Sequence, residues 1–362
     1  MPRIQHVRRI GLALLLVLFV TPFTAFAHVK WFAAWGFDDP PATLGSILTP
    51  MFLGLTALTI AGLVIAVFID YRLRDSRLYQ RVSGWFDQRR EYAPLVLRIG
   101  LAMTLMLAWA DDRLLTPDLA LSHPAWGWIE FGLALLLIFP RATAIAGAGT
   151  LGLYVVGIVE HGAFYMLDYF IFVGVGVYLM TVYAKNPRLH SLRIPALYFG
   201  VGFSLMWVAI EKIIYPQWGM QVLASNPQLT MGLPPEFFLM SAGFIELALG
   251  YLLIIGLLER PLSVVITLVF FTTTLVFGKV EVIGHTIIHA ALIAFLIEGT
   301  SHSVYPAPIN IHRTIPWRMG FAAVNFVLLL AVFVVPYLLM AQSTYGMSLA
   351  YLKPLLGVLL QP

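Results

Sequence analysis

Residues 195–216 read PALYFGVGFSLMWVAIEKIIYP: positions 195–210 carry no charge, and Glu211, Lys212 and a proline follow. The apolar run is too long for an ordinary strand and matches the ~20 residues a helix needs to cross a bilayer core. The same reading gives nine more such stretches, near 46–69, 93–110, 124–140, 142–159, 164–183, 236–257, 262–279, 284–298 and 317–341. The chain has 362 residues, 60% of them hydrophobic and 11% charged, with a mean hydropathy of +0.87. A water-soluble fold cannot bury that much apolar surface. The expected fold is therefore all-α, a polytopic transmembrane helical bundle of about ten spans. No cysteine is present, which excludes disulfides and thiolate metal centres. No phosphate-binding glycine loop, G-x-S-x-G elbow or nucleotide fingerprint occurs.

The first 27 residues have the three parts of a secretory signal: Arg3, Arg8 and Arg9, an apolar core from Leu12 to Val20, and Ala25-Phe26-Ala27 as the cut site. Cleavage there makes His28 the mature N-terminus. Orientation follows from the basic residues. With that N-terminus outside, the inner loops hold Arg72, Arg74, Arg77, Arg81, Arg89, Arg90, Arg141, Lys185, Arg188, Arg193, Arg260, Arg313 and Arg318. The outer segments hold Lys30, Arg113, Lys212, Lys279 and Lys353. Thirteen against five is the asymmetry expected of a protein in a bacterial inner membrane with both mature termini on the periplasmic side. The net charge of +4 thus reports topology, and a nucleic-acid partner is not expected. Residues 70–92, rich in arginine and aromatics, read as an amphipathic segment lying on anionic headgroups.

Two stretches resemble each other in order. WADDRLLTP closes one span and AIEKIIYP another, aligning Asp112-Arg113 with Glu211-Lys212 and Pro117 with Pro216. Glu130 then matches Glu246, Arg141 matches Arg260, and Glu160 and Asp168 match Glu281 and His289. The offsets of 99, 116, 119 and 121 residues need only small insertions. Each copy has an even number of spans, so the repeat is parallel. The expected organisation is a signal peptide (1–27), then an exported N-terminus, first span and basic inner loop (28–92). Two four-helix units follow (93–190 and 195–299), and an inner loop, last span and outer tail (300–362) complete the chain. A four-helix unit with an acid–base pair before a proline, an E-x-x-x-G-like third helix and an arginine before the fourth resembles the DoxX family. The resemblance spans roughly 93–299. It implies a helical membrane protein. For some members it implies quinone-linked oxidation of small sulfur species or a place in quinol oxidase assemblies.

Ionisable groups inside a bilayer need a partner, a wet cavity or a task. Asp112, Glu130, Glu160, Asp168, Glu211, Lys212 and Glu246 all lie toward the outer ends of the spans and are the candidates for catalysis or a proton path. The competing reading is a structural network. Adjacent residues on a helix do not face each other, so Asp112 with Arg113, and Glu211 with Lys212, must reach across helices for partners. The sharpest local pattern is KVEVIGHTIIH (279–289), in which Glu281, His285 and His289 recur every fourth residue along one helix face. A carboxylate and two imidazoles on one stripe suit copper, zinc or iron. His28, if terminal, adds an α-amine beside its imidazole, a chelating pair that resembles the histidine brace of periplasmic copper proteins. Copper is therefore the expected metal, with His28, Glu281, His285 and His289 as ligands. Quinone is a second expected cofactor, with Tyr165, Tyr169 and Trp207 as flanking rings.

Three functions fit these features. The first is a periplasm-facing metal or redox site, which as an enzyme would be a quinone-linked oxidoreductase and as a carrier would serve a metal-handling partner. The second is a non-catalytic subunit of a respiratory assembly. The third is a proton-coupled small-molecule transporter.

Overall fold

The computed structural model describes residues 28–36, 38–299, 308–311 and 314–359, the last thirteen of these as backbone only. The expected signal sequence and Arg313 lie outside the described residues. Among the described residues every extended regular element is a helix. In chain order these are α1 (Pro50–Arg74), α2 (Arg77–Asp87), α3 (Ala93–Ala110), α4 (Pro124–Leu136), α5 (Thr143–His161), α6 (Ala163–Met166) and α7 (Ile171–Thr181). There follow α8 (Pro187–Ile214), α9 (Pro216–Ser225), α10 (Pro235–Ile255), α11 (Glu259–Phe277), α12 (Lys279–Glu298) and α13 (Ile315–Leu359). Proline opens α1, α4, α8, α9 and α10. The first turn of a helix has no use for that N–H, and the fixed φ suits it. Thr49 and Asn186 accept the orphan amides of α1 and α8 at 3.2 and 2.9 Å.

The span count differs from the sequence expectation. Among the described residues eight helices are long and apolar enough to cross a membrane, and α6 with α7, bent by 64° at Phe170, makes nine when the pair is counted as one span. The expected span 124–140 is helical only over the 13 residues of α4, roughly 20 Å at 1.5 Å per residue. Arg98 of α3 explains how so short a helix ends inside the bundle. Its guanidinium donates to the carbonyls of Leu137 and Ile138 at 2.8 and 2.6 Å, satisfying groups that lipid cannot. The expected loop between the eighth and ninth spans shrinks to Gly278, whose φ of +66° lets α11 turn directly into α12. All of KVEVIGHTIIH is therefore helical.

α8 is the most enclosed span and α1 the most lipid-facing. α3 packs on α4 and α5 on α7; α8 packs on α10 and α11 on α12. Across these groups α7 lies against α8 and α3 against α12, while α1 and α13 pair at the side of α10. The first helix of each sequence unit thus meets the last helix of the other. A short segment, 28–43, then lies over one end of the bundle. Its 3-10 turn, Val29–Trp31, is buried at Val29 and Lys30, and the amide of Ala42 donates to the carbonyl of Ile214 at 2.8 Å.

Candidate functional site

The segment over the bundle end carries the cation around which the site is organised. Lys30 Nζ lies 2.7 Å from Asp168 Oδ2 and 2.8 Å from Glu211 Oε2, with all three side chains at most 2% exposed. The rings of Tyr165, Trp35 and Trp218 surround the ammonium at 4.8 to 5.7 Å, a cation–π cage. Burial works against the charge, but the two carboxylates outweigh it and hold the Lys30 pKa above the ordinary amine range. Glu211 and Lys212 indeed face different ways. Lys212 Nζ meets Glu246 Oε2 of α10 at 2.7 Å, again in full burial.

Asp118 forms the next layer. Its Oδ2 accepts from both Tyr165 and Tyr169, the latter at 2.6 Å, and the Tyr169 hydroxyl in turn accepts from Trp31 Nε1 at 3.0 Å. Trp31 lies flat over Gly284 of α12. A Cβ there would sit 1.9 Å from the indole, so only glycine admits the ring. Phe32 stacks on Phe277 at 4.2 Å. Trp218 donates to Asp39 at 2.6 Å and stacks on Tyr215 at 4.0 Å. The segment is thereby held along its length by aromatic and ionic contacts.

Beneath it lies a cavity of about 20 Å³ lined by His28, Ser204, Glu246, Phe270 and His285 among others, room for a water or a single ion. His285 Nδ1 is 2.7 Å from Glu281 Oε2, both buried, and Glu281 also accepts from Thr273 at 2.8 Å. The contact is one of distance only, and His285 Nδ1 has no hydrogen-bond partner. His28 stacks on Trp31 and Tyr169 at 4.5 and 5.1 Å, and its Nδ1 is buried with no hydrogen-bond partner. Burial, then His285, Lys212 and Lys30, push its pKa well below the ordinary value, so the imidazole is neutral. Glu246 Oε1 is likewise buried without a partner.

The other candidates separate from this centre. His289 is half-buried against Phe270 and Phe271 and does not line the cavity, because eight residues along a helix rotate it away from Glu281. Asp112 is exposed in a left-handed turn with φ +52° and forms no ion pair among the described residues. Its neighbour Asp111 takes the cation instead, 2.5 Å from Lys279. Among the described residues Asp112 and Arg113 thus form no ion pairs like the buried ones of Glu211 and Lys212. Glu130 is fully buried and accepts the amide of Leu115 at 2.7 Å, pinning a residue at φ +63°. Glu160 accepts from Ser122 and, at 2.9 Å, from Trp126 near the surface. Trp207 stacks with Phe203 and touches Tyr337, apart from the Tyr165–Tyr169–Asp118 group. Among the described residues no three His, Asp or Glu side chains are grouped to hold a metal.

Lys30, Trp31 and Asp118 do not stand out in the sequence, where Lys30-Trp31-Phe32 reads as an interfacial anchor. The available signal was an imbalance: the outer ends of the spans hold more acids than bases, so any nearby cation is drawn inward.

These features define a multi-pass, all-helical membrane protein with an ionic and imidazole cluster buried at one end of its bundle. The family model described as DoxX matches residues 199–279, from within α8 to the start of α12, so over that stretch the chain is similar to DoxX proteins. No curated protein and no solved structure matches the chain.

Proposed function

We propose that the protein holds a copper ion in the cavity beneath its N-terminal segment, on the periplasmic side, and acts in redox or metal handling. The observation that carries the reading is the convergence of His28 and His285 on one ion-sized cavity, with His28 Nδ1 and Glu246 Oε1 buried and unpartnered. The donor chemistry fits. His28 supplies Nδ1 and, once the signal is removed, its α-amine; His285 supplies a ring nitrogen, with Glu281 Oε2 2.7 Å from its Nδ1 and close enough to orient the ring on rotation of either side chain. Three nitrogens suit Cu(II), and the neutral His28 imidazole needs no proton removed before binding. Copper bound there supplies one-electron chemistry, and the chain's own part is to bind it, orient His285 through Glu281 and exclude bulk water. His289 and a direct Glu281 ligand have no role in this set. A cavity of about 20 Å³ favours holding or relaying an ion over turning over a larger substrate.

The same proposal includes two parallel four-helix units, 93–190 and 195–299. The reciprocal packing of α3 on α12 and α7 on α8 supports it. The test is metal analysis of the purified mature protein, with N-terminal mass spectrometry of the same sample. One copper per chain is expected, with nitrogen hyperfine structure in the Cu(II) spectrum, and loss of binding in His28→Ala and in His285→Ala. Protein that begins at His28 yet cannot be loaded overturns the proposal.

A further inference from the structure

α2 is a helix of eleven residues in which no position is buried, and its placement argues for a ligand of its own. α1 ends at Arg74 and α3 opens at Ala93; both are spans, so the helix between them runs along the membrane surface at the bundle end away from Lys30. One face is fastened to the bundle. Asp87 receives Arg260 of α11 at 2.6 Å and Arg90 at 2.7 Å, the Arg260 guanidinium lies over the Phe86 ring at 5.8 Å, and Tyr79 and Phe86 are half-buried. About a quarter turn away, at i, i+4 and i+7, stand Leu78, Val82 and Trp85, which are 72%, 45% and 51% exposed. That stripe points neither into the bundle nor, given its chemistry, toward water.

The charges around it are predominantly positive, the exposed Asp75 and Glu91 being outnumbered by exposed arginines. Arg72, Arg74, Arg77 and Arg81 are exposed, and Arg89 stacks over Trp85 at 3.7 Å, carrying its cation to the edge of the apolar stripe. Asp70 and Asp87, acids of this region, are engaged by Arg74, Arg318, Arg90 and Arg260. A short amphipathic helix with arginines beside an aromatic stripe has the makeup of an interfacial anchor selective for negative surface charge. We propose that α2 binds anionic phospholipid headgroups, with Leu78, Val82 and Trp85 sunk into the headgroup–acyl boundary and Arg77 and Arg81 paired with lipid phosphates. The Asp87–Arg260 tie makes this an anchor for the α11 end of the bundle as well.

The absence of native cysteine makes the test clean. Full-length Leu78→Cys protein, carrying a polarity-sensitive fluorophore, is reconstituted into nanodiscs of phosphatidylcholine alone or with about 30% phosphatidylglycerol. Stronger quenching by lipids brominated near the headgroup is expected only in the anionic discs. It should weaken on adding salt and in Arg77→Gln/Arg81→Gln, each arginine contributing on the order of fivefold to the lipid preference. An unchanged melting profile for the double variant confirms that folding is intact. A probe that stays in water in both discs overturns the proposal. So does equal burial in both lipids without response to salt or to the arginine changes, or protection by a copurifying protein.

Discussion

Lys30 has two carboxylates within 2.8 Å and almost no exposure, so its contribution is measured best by what its loss leaves behind. Lys30→Met strands Asp168 and Glu211 as uncompensated buried charges, which costs about 3–5 kcal/mol. The expected result is a large drop in the melting midpoint in detergent. Replacing all three groups by Lys30→Met/Asp168→Asn/Glu211→Gln should recover most of it; failure to recover would mean that the charges do more than neutralise each other. Gly284 makes a second prediction at this scale. Gly284→Val puts a Cβ and two methyls where the Trp31 indole lies, and overpacking of this kind costs about 1–3 kcal/mol. Limited proteolysis should then cut the chain near Trp31 faster than in the parent. The sequence reading reached Glu281 and His285 because helical spacing alone brings them together. It missed Lys30 because a residue outside every span finds its partners, Asp168 and Glu211, only through the tertiary fold.

Two elements depart from uninterrupted spans, and each has one side chain that repairs the backbone. At the bend between α6 and α7 the buried amide of Ile171 has lost its helical acceptor and donates to Ser204 Oγ of α8 at 2.8 Å. Ser204→Ala leaves that amide unsatisfied at a cost of about 1–3 kcal/mol, and hydrogen exchange at Ile171 should rise ahead of its neighbours. At the end of α4, Arg98 serves Leu137 and Ile138 together. Arg98→Leu exposes both carbonyls to an apolar surrounding, whereas Arg98→Lys, a single point donor, should restore less than half of the lost melting temperature. Neither break was legible as such. Residues 164–183 and 124–140 are apolar enough to span, and hydropathy cannot see that Phe170 and Leu137 end a hydrogen-bond ladder. α4 and α10, which open at Pro124 and Pro235, begin within one residue of the expected 124 and 236 because the proline signal is local, whereas α1 and α8 begin at Pro50 and Pro187 against an expected 46 and 195, since hydropathy alone set those bounds.

At the scale of the molecule, charge is sorted between two ends. Lys30, Lys212 and Lys279 meet acids at the end covered by residues 28–43, while Arg74, Arg90, Arg260 and Arg318 gather on Asp70 and Asp87 at the other. The class of fold and this sorting were both legible beforehand, since each depends on totals along the chain. The path by which the N-terminal segment closes the bundle was not, since it depends on which aromatic meets which ring. Arginine and lysine are retained on the cytoplasmic side, so the arginine-rich end is expected inside and the Lys30 end in the periplasm. A chain without cysteine allows a direct check with two exposed positions, Asp38 over the covered end and Gln88 just beyond α2. In intact spheroplasts a membrane-impermeant maleimide should label Asp38→Cys and leave Gln88→Cys untouched until the membrane is permeabilised. The reverse pattern would put the imidazole cavity on the cytoplasmic side. It would also remove His28 from the compartment in which a signal peptidase could free its amine.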